Sequence, residues 1–238
     1  CASILYSYKV DAVALIICVG FTRNETEDAL IDLHYLGIKN ILVLRGDPPK
    51  NERSFKPEIN GHAHAIELLS QAININNGIY IEEDLKDGFK TEFCVGVAGY
   101  PEKHFESPNL TADLQVLKDK VDRGADYIVT QMFFDNKKYL DFVSACRNIG
   151  IKVPIIPGLK PITAKNQLFR IPSTFHVDIP EELYHEIKKC KDDKEVTKVG
   201  GEWTIKQGKE LLKSGAPCLH FFTMSHPNPI VEIARGLF

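Results

Sequence analysis

The sequence predicts an α/β protein of the (β/α)8 TIM-barrel class. Apolar runs of strand length alternate with stretches of helical spacing from residue 10 to the end of the 238-residue chain. No two strand-like runs are joined by a short hairpin, so successive strands must be parallel and linked by crossovers. Polar clusters gather just after the strands, which is the working face of such a barrel. Six β/α units can be counted, two short of eight. The chain opens on Cys1, and residues 2–8 read as the end of a helix. The expectation is therefore a single barrel domain over residues 1–238 that lacks its first two β/α units, these lying upstream of residue 1.

Each element has a local reason. Residues 10–19 (VDAVALIICV) form a near-continuous apolar run, as for a strand buried on both faces. Thr22-Arg23-Asn24-Glu25 has the form of a capping box, and Ala29, Leu30, Leu33 and Leu36 follow at helical spacing until Gly37 ends the run. Residues 40–44 make the next strand. A polar, proline-containing connection over 47–61 is long enough to cover a ligand. Residues 63–75 are helical, with Ala65, Leu68, Leu69 and Ala72 as the apolar face, and 93–98 are a strand. A helix over 111–123 turns Leu114, Leu117 and Val121 inward. Residues 127–134, a helix over 136–147 and a strand over 153–159 follow. Helical segments begin at 162 and 179, the latter with Pro180 in its first turn. A long helix over 195–214 is interrupted by Gly201 and Gly208, a strand spans 218–224, and 230–237 close the chain as a helix.

A net charge of -3 gives no sign of nucleic acid or an anionic membrane as partner. No apolar run approaches the roughly 20 residues that span a bilayer, and no signal peptide is visible. The six cysteines are far apart and form no CxxC, which reads as reduced, buried thiols in a cytoplasmic protein.

The strongest candidate site is the lip of the strand over 40–44, where Arg45-Gly46-Asp47 follows four apolar residues and two prolines then bar further pairing. Arginine suits a phosphate, aspartate a cationic or donor-bearing group, and glycine lets a ligand approach the backbone. Taken alone, the triplet fits a surface turn equally well. Tyr100 and His104 lie after the next strand; His104 suits a phosphate or ribose, or simply solvent. Asp113 and Lys120, seven apart, read either as a ligand-facing pair or as an exposed charged face. Gln131 lies among apolar neighbours and needs a hydrogen-bond partner, which a heterocyclic ligand could supply. There is no GxGxxG after a strand, no Walker A loop, no metal-spaced His/Glu cluster and no G-x-S-x-G elbow.

Several motifs in order, Leu44-Arg45-Gly46-Asp47-Pro48, Val97-Ala98-Gly99-Tyr100-Pro101-Glu102 with His104, Thr130-Gln131-Met132-Phe133-Phe134-Asp135, Ile155-Ile156-Pro157-Gly158 and His220-Phe221-Phe222-Thr223-Met224, together resemble 5,10-methylenetetrahydrofolate reductase. The segment from Leu117 to Ala125 joins them. The resemblance runs from about residue 10 to the C-terminus. It implies a barrel flavoprotein that passes a hydride from NADH or NADPH through FAD to 5,10-methylenetetrahydrofolate, giving 5-methyltetrahydrofolate in one-carbon and methionine metabolism, and acts as a homo-oligomer. Carried over, it implies FAD contacts at Arg45, Gly46, Asp47, His64, Ala65, Tyr100, His104, Ser107, Asp113 and Lys120. It makes Asp47 the catalytic carboxylate beside flavin and pterin, and Gln131, Gln167 and His226 the substrate contacts. The chain departs from the family pattern at Leu15, where a histidine is usual. Met224-Ser225-His226 stands where an arginine is usual, and Ile171 where some members have an aromatic. The family's glutamate acid belongs to a strand expected upstream of Cys1. Two other readings stay open, a non-catalytic flavin- or folate-binding remnant and another barrel flavoprotein.

Overall fold

Thr22 shows how local sequence sets an element. Its hydroxyl accepts the Glu25 N–H at 3.2 Å while the Glu25 carboxylate accepts the Thr22 N–H at 2.8 Å. Two otherwise orphaned donors are satisfied, and helix α2 (Arg23–Tyr35) starts there. The computed structural model describes residues 1–48, 54–82, 88–223 and 227–238. The chain divides into two compact units, Cys1–Ala98 with Leu117–Ile128, and Gly99–Val116 with Val129–Phe238.

The first unit begins with α1 (Ala2–Tyr8) and β1 (Val13–Ile17). After α2 come β2 (Asn40–Leu44), α3 (Ala65–Asn76) and β3 (Cys94–Gly99), whose last residue belongs to the second unit. β1 pairs with β2 in parallel from Val13↔Asn40 to Ile17↔Leu44, and β2 with β3 from Asn40↔Cys94 to Val43↔Val97. Ile41, Val43, Val95 and Val97 are buried, as are Leu68, Leu69, Ala72 and Ile75 of α3. That is the pattern of a parallel strand covered by its crossover helix. Gly96 is fixed by a neighbour, since a Cβ there would lie 2.2 Å from the Tyr127 ring, whose hydroxyl donates to the Ile41 carbonyl at 2.9 Å.

Helix α4 (Leu110–Asp122) and strand β4 (Tyr127–Met132) contribute residues to both units. The second unit continues with α5 (Asn136–Asn148), β5 (Ile155–Leu159), α6 (Gln167–Phe175), α7 (Glu181–Lys189), α8 (Asp193–Lys213), β6 (His220–Phe221) and α9 (Asn228–Leu237). Strand order follows chain order within each unit, β1-β2-β3 and β4-β5-β6, with no reversal. This is the winding of a (β/α) barrel rather than of a doubly wound sheet. β5 and β6 pair in parallel through Gly158↔His220 and Leu159↔Phe221. Met132, Phe134, Ile162, Leu168, Ile171, Leu183, Ile187 and Val196 form a buried cluster, and Trp203 packs against it while its indole N–H donates to the Phe134 carbonyl at 3.1 Å.

Several boundaries differ from expectation. The first strand is half as long as the apolar run at 10–19. α6 starts at Gln167 rather than 162, because the Gln167 side-chain oxygen Oε1 reaches back to accept the Thr163 N–H at 2.8 Å and holds 163–166 as a loop. α8 is continuous through Gly201 and Gly208. Its tight point is Gly200, where a Cβ would lie 2.0 Å from the Ile162 carbonyl oxygen, so glycine serves close packing there and not a break. The strand expected over 218–224 is only two residues long among those described. Leu36 is 44% exposed, so the buried side of α2 is Thr26 and Leu30, with Ala29 and Leu33 partly covered. All six cysteines are free, yet only Cys18, Cys146 and Cys190 are buried; Cys1 and Cys218 are exposed.

Candidate functional site

The lip of β2 is fastened by backbone. The Arg45 carbonyl accepts the N–H groups of Cys18 at 3.1 Å and Val19 at 3.2 Å, tying the end of β2 to the end of β1. Gly46 then takes φ +87°, and a Cβ on it would meet the Val19 side chain at 3.2 Å, so both conformation and space require glycine. Arg45 is half-buried with its guanidinium 5.2 Å from the centre of the Phe55 ring, and Asp47 is exposed. His64 is the N-cap residue of α3 but makes no side-chain cap bond, so its ring is not used there; Ala65, first in the helix, is half-buried. Lys120 is half-buried on α4.

In the second unit the turn after β3 is organised by Asp113. Its carboxylate accepts the His104 N–H at 3.1 Å and the Ser107 hydroxyl at 2.8 Å, and the residue is only 8% exposed. The exposed-face reading of Asp113 is therefore corrected: its first-turn position on α4 turns the carboxylate onto the loop rather than into solvent. The His104 ring lies 4.7 Å from Tyr100, edge to face, and its Nδ1 accepts the Glu106 N–H at 3.3 Å. Tyr100, His104, Ser107 and Asp113 thus form one assembled group.

Gln131 is half-buried on β4, and its side-chain carbonyl accepts the N–H of the next residue, Met132, at 2.9 Å. That leaves its NH2 as the group to offer. Gln167 is buried with both ends of its amide on Thr163, accepting from the N–H and donating to Oγ1 at 3.2 Å. His226 lies outside the described residues. A cavity of about 330 Å³ in the first unit, lined by Arg23, Glu27, His62, Glu67, Gln71 and Arg123, includes none of these residues. Among the described residues no group of three or more His, Cys, Asp or Glu side chains is placed to hold a metal ion, and no helix is long and apolar enough to cross a membrane.

Residues 1–237 match the family described as Methylenetetrahydrofolate reductase. The chain belongs to that family. It is 34% identical, over 99% of its length, to "Probable methylenetetrahydrofolate reductase (NADPH)" of Caenorhabditis elegans, and covers 34% of that protein. A rice relative named "Probable methylenetetrahydrofolate reductase (NADH)" is 34% identical over 96% of this chain and 38% of its own. The Salmonella typhimurium "5,10-methylenetetrahydrofolate reductase" is 33% identical over 96% of this chain, which covers 70% of it. The chain thus spans about a third of the length of its yeast and nematode relatives. A Clostridium thermocellum protein described as binding two copies of 5-methyl-5,6,7,8-tetrahydrofolic acid has the same fold, with TM-score 0.54 and 16% identity over 98% of this chain and 76% of its own.

Two departures from the methylenetetrahydrofolate reductase pattern now have structural content. Ile171 is buried in the cluster of the second unit, so it is not offered to a ligand, whereas Leu15 is 60% exposed. Two charged residues near strand ends, Glu102 and Lys160, carry no role in the sequence-based expectations. Glu102, three residues past β3, has a side chain only 9% exposed. It accepts the Asp178 N–H at 3.3 Å on either oxygen and lies 3.6 Å from the Lys138 ammonium. Burial, and then the Asp178 carboxylate, push its pKa up to about 7. Lys160 directly follows β5 and is also buried; burial, then Arg170, lowers its pKa. The signal that could have found both was already in use, namely a charged residue at the C-terminal end of a barrel strand.

Proposed function

We propose that this chain, as part of a single catalytic barrel domain, reduces 5,10-methylenetetrahydrofolate to 5-methyltetrahydrofolate at the expense of NADH or NADPH, with FAD as cofactor. The observation that carries the reading is the family match over residues 1–237, in a chain whose Arg45-Gly46-Asp47 stands at a strand's C-terminal lip. The donor set fits a flavin nucleotide. Arg45 offers a guanidinium for a diphosphate, and Gly46 leaves no side chain in front of the backbone. Asp113 and Ser107 are already bonded to each other, so what they keep is acceptor capacity, which suits ribose hydroxyls. Tyr100, His104, His64, Ala65 and Lys120 complete the proposed cofactor contacts. FAD, when bound, supplies the hydride relay between nicotinamide and folate.

The protein's own contribution is charge and orientation. Asp47, an exposed carboxylate at the lip of β2, stabilises the cationic iminium form of the folate as it develops. Gln131 donates from the NH2 that its local bond to Met132 leaves over. Gln167 positions the substrate through the loop it braces at Thr163, and His226 is proposed as a further contact.

The test is the visible spectrum of the purified protein followed by anaerobic half-reactions. A flavin band that bleaches with NADH or NADPH and returns with methylenetetrahydrofolate is expected. Asp47→Asn should slow return by folate on the order of a hundredfold, the scale of losing one transition-state charge contact, and slow bleaching far less. Equal losses in the two half-reactions would remove Asp47 from the folate step. A protein that takes up no FAD would overturn the reading.

A further inference from the structure

Lys160 is the residue the proposed chemistry leaves unexplained. It is 8% exposed, and among the described residues it makes no hydrogen bond and no ion pair. Its aliphatic stem is buried while the ammonium at its end keeps access to solvent, so a positive charge is presented without a counter-charge at a strand's C-terminal end, where an anionic ligand group would supply the partner. Its surroundings worsen the deficit. From Lys160 to Phe175 the sequence holds three cations, Lys160, Lys165 and Arg170, and no aspartate or glutamate. The charge that acts on Lys160 is the like charge of Arg170, which with burial lowers its pKa. The carboxylate on this loop from outside, Asp193, is taken up by the Lys165 N–H at 3.2 Å.

The loop is also built to hold its shape. Thr163 is bonded twice to the Gln167 amide. Arg170 follows Gln167 by three positions on α6, so the two are neighbours along the helix, Gln167 buried and Arg170 exposed. Continuing the alternation of β5 puts Lys160 on the same side as Ile156 and Gly158. Lys160, Gln167 and Arg170 are thereby carried by one braced loop and the start of one helix at a strand's C-terminal end.

We propose that Lys160, backed by Arg170, is the receptor for an anionic group of the ligand. That group is either a carboxylate of the folate's glutamate tail or a phosphate of the nicotinamide dinucleotide. The inference rests on the proposed reductase reading and adds to it a residue that sets ligand charge specificity.

The experiment compares wild type with Lys160→Met, Lys160→Gln and Lys160→Arg in the full-length protein, reading equilibrium binding by calorimetry as well as steady-state kinetics. The ligands are 5-methyltetrahydrofolate, the same pterin without its glutamate, and NADH and NADPH. Both neutral variants should weaken the tailed folate on the order of tenfold, with a shallower salt dependence, and leave the tailless pterin unchanged. Lys160→Arg should stay close to wild type. The same loss seen for the dinucleotides instead identifies phosphate as the group bound. Neutral variants that bind every ligand within about twofold of wild type, with unchanged salt dependence, overturn the receptor while leaving the reductase reading intact. A wild type that binds neither folate nor dinucleotide overturns both. Methionine keeps the buried apolar stem of Lys160 and should fold as well as wild type, and glutamine gives a second neutral variant.

Discussion

Replacing Glu102 with glutamine should make the protein more stable in alkali than the wild type, while leaving the two alike in acid. The carboxyl is buried beside Asp178, and its pKa rises from 4.5 to about 7. A carboxyl whose folded value lies above its unfolded one holds an extra proton in the fold. Its stabilising share is complete below about pH 4.5 and is lost as the pH rises through about 7. The full gap corresponds to roughly 3.4 kcal/mol at about 1.36 kcal/mol per pH unit. Lys138, 3.6 Å away, has a side chain 43% exposed, so solvent screening reaches the cluster and about half of that, roughly 1.5–2 kcal/mol, is expected to survive. Glutamine cannot ionise, yet it keeps an oxygen to accept the Asp178 N–H. Urea unfolding of both proteins at pH 5 and pH 8.5, followed by circular dichroism, measures the difference. The stability gap should shift toward the variant by about three quarters of that amount between the two pH values, because the unfolded carboxyl is already mostly ionised at pH 5. Parallel curves would show that Glu102 titrates as an ordinary carboxylate and that its burial beside Asp178 does not govern its charge.

Two further substitutions test the fold. Gly158→Ala puts a methyl group 2.3 Å from the Thr130 carbonyl oxygen and 2.7 Å from the Phe222 ring. The carbonyl is backbone of the neighbouring strand and cannot retreat without opening the sheet, and a loss of about 3 kcal/mol or more is expected in the same denaturation assay; a loss under about 1 kcal/mol would mean that the strands are less closely packed here. Thr22→Ala removes the hydroxyl that accepts the Glu25 N–H, leaving only the backbone half of the capping box, and should cost about 1 kcal/mol, read as a lower thermal midpoint, whereas Asn24→Ala, at an exposed position of the first turn, should not.

The sequence showed most where one residue type meets a single local requirement. Thr22 and Glu25 cap the helix as their spacing implies, and the β2 strand spans the residues its apolar run marks out, because an uncapped helix end or a broken parallel strand has few alternatives. Boundaries drifted where side chains overrule propensity. Gln167 folds back onto Thr163 and delays α6, and Gly200 lets the Ile162 backbone in against a helix that glycine might have ended. In the candidate site, Arg45-Gly46-Asp47 was legible because strand, glycine and charge stand together in the chain. The burial of Asp113, Glu102 and Lys160 was not legible, since it depends on which loop folds over each charge; Glu102, for one, is met by Asp178, 76 positions away. The ligand contact expected of Gln131 is halved by its own neighbour, a bond of 2.9 Å that no periodicity announces.

The chain contains a single tryptophan, and it is Trp203, half-buried against the apolar cluster of the second unit with its indole N–H on the Phe134 carbonyl. Its fluorescence therefore serves as a built-in optical probe with a defined address. On unfolding of that unit the indole loses its hydrogen bond and meets water, shifting emission to the red. The tyrosines at 6, 8, 35, 80 and 127 belong to the first unit. Selective excitation at the red edge would follow one unit's melting without any label, and a mismatch with circular dichroism would reveal whether the two units come apart in separate steps.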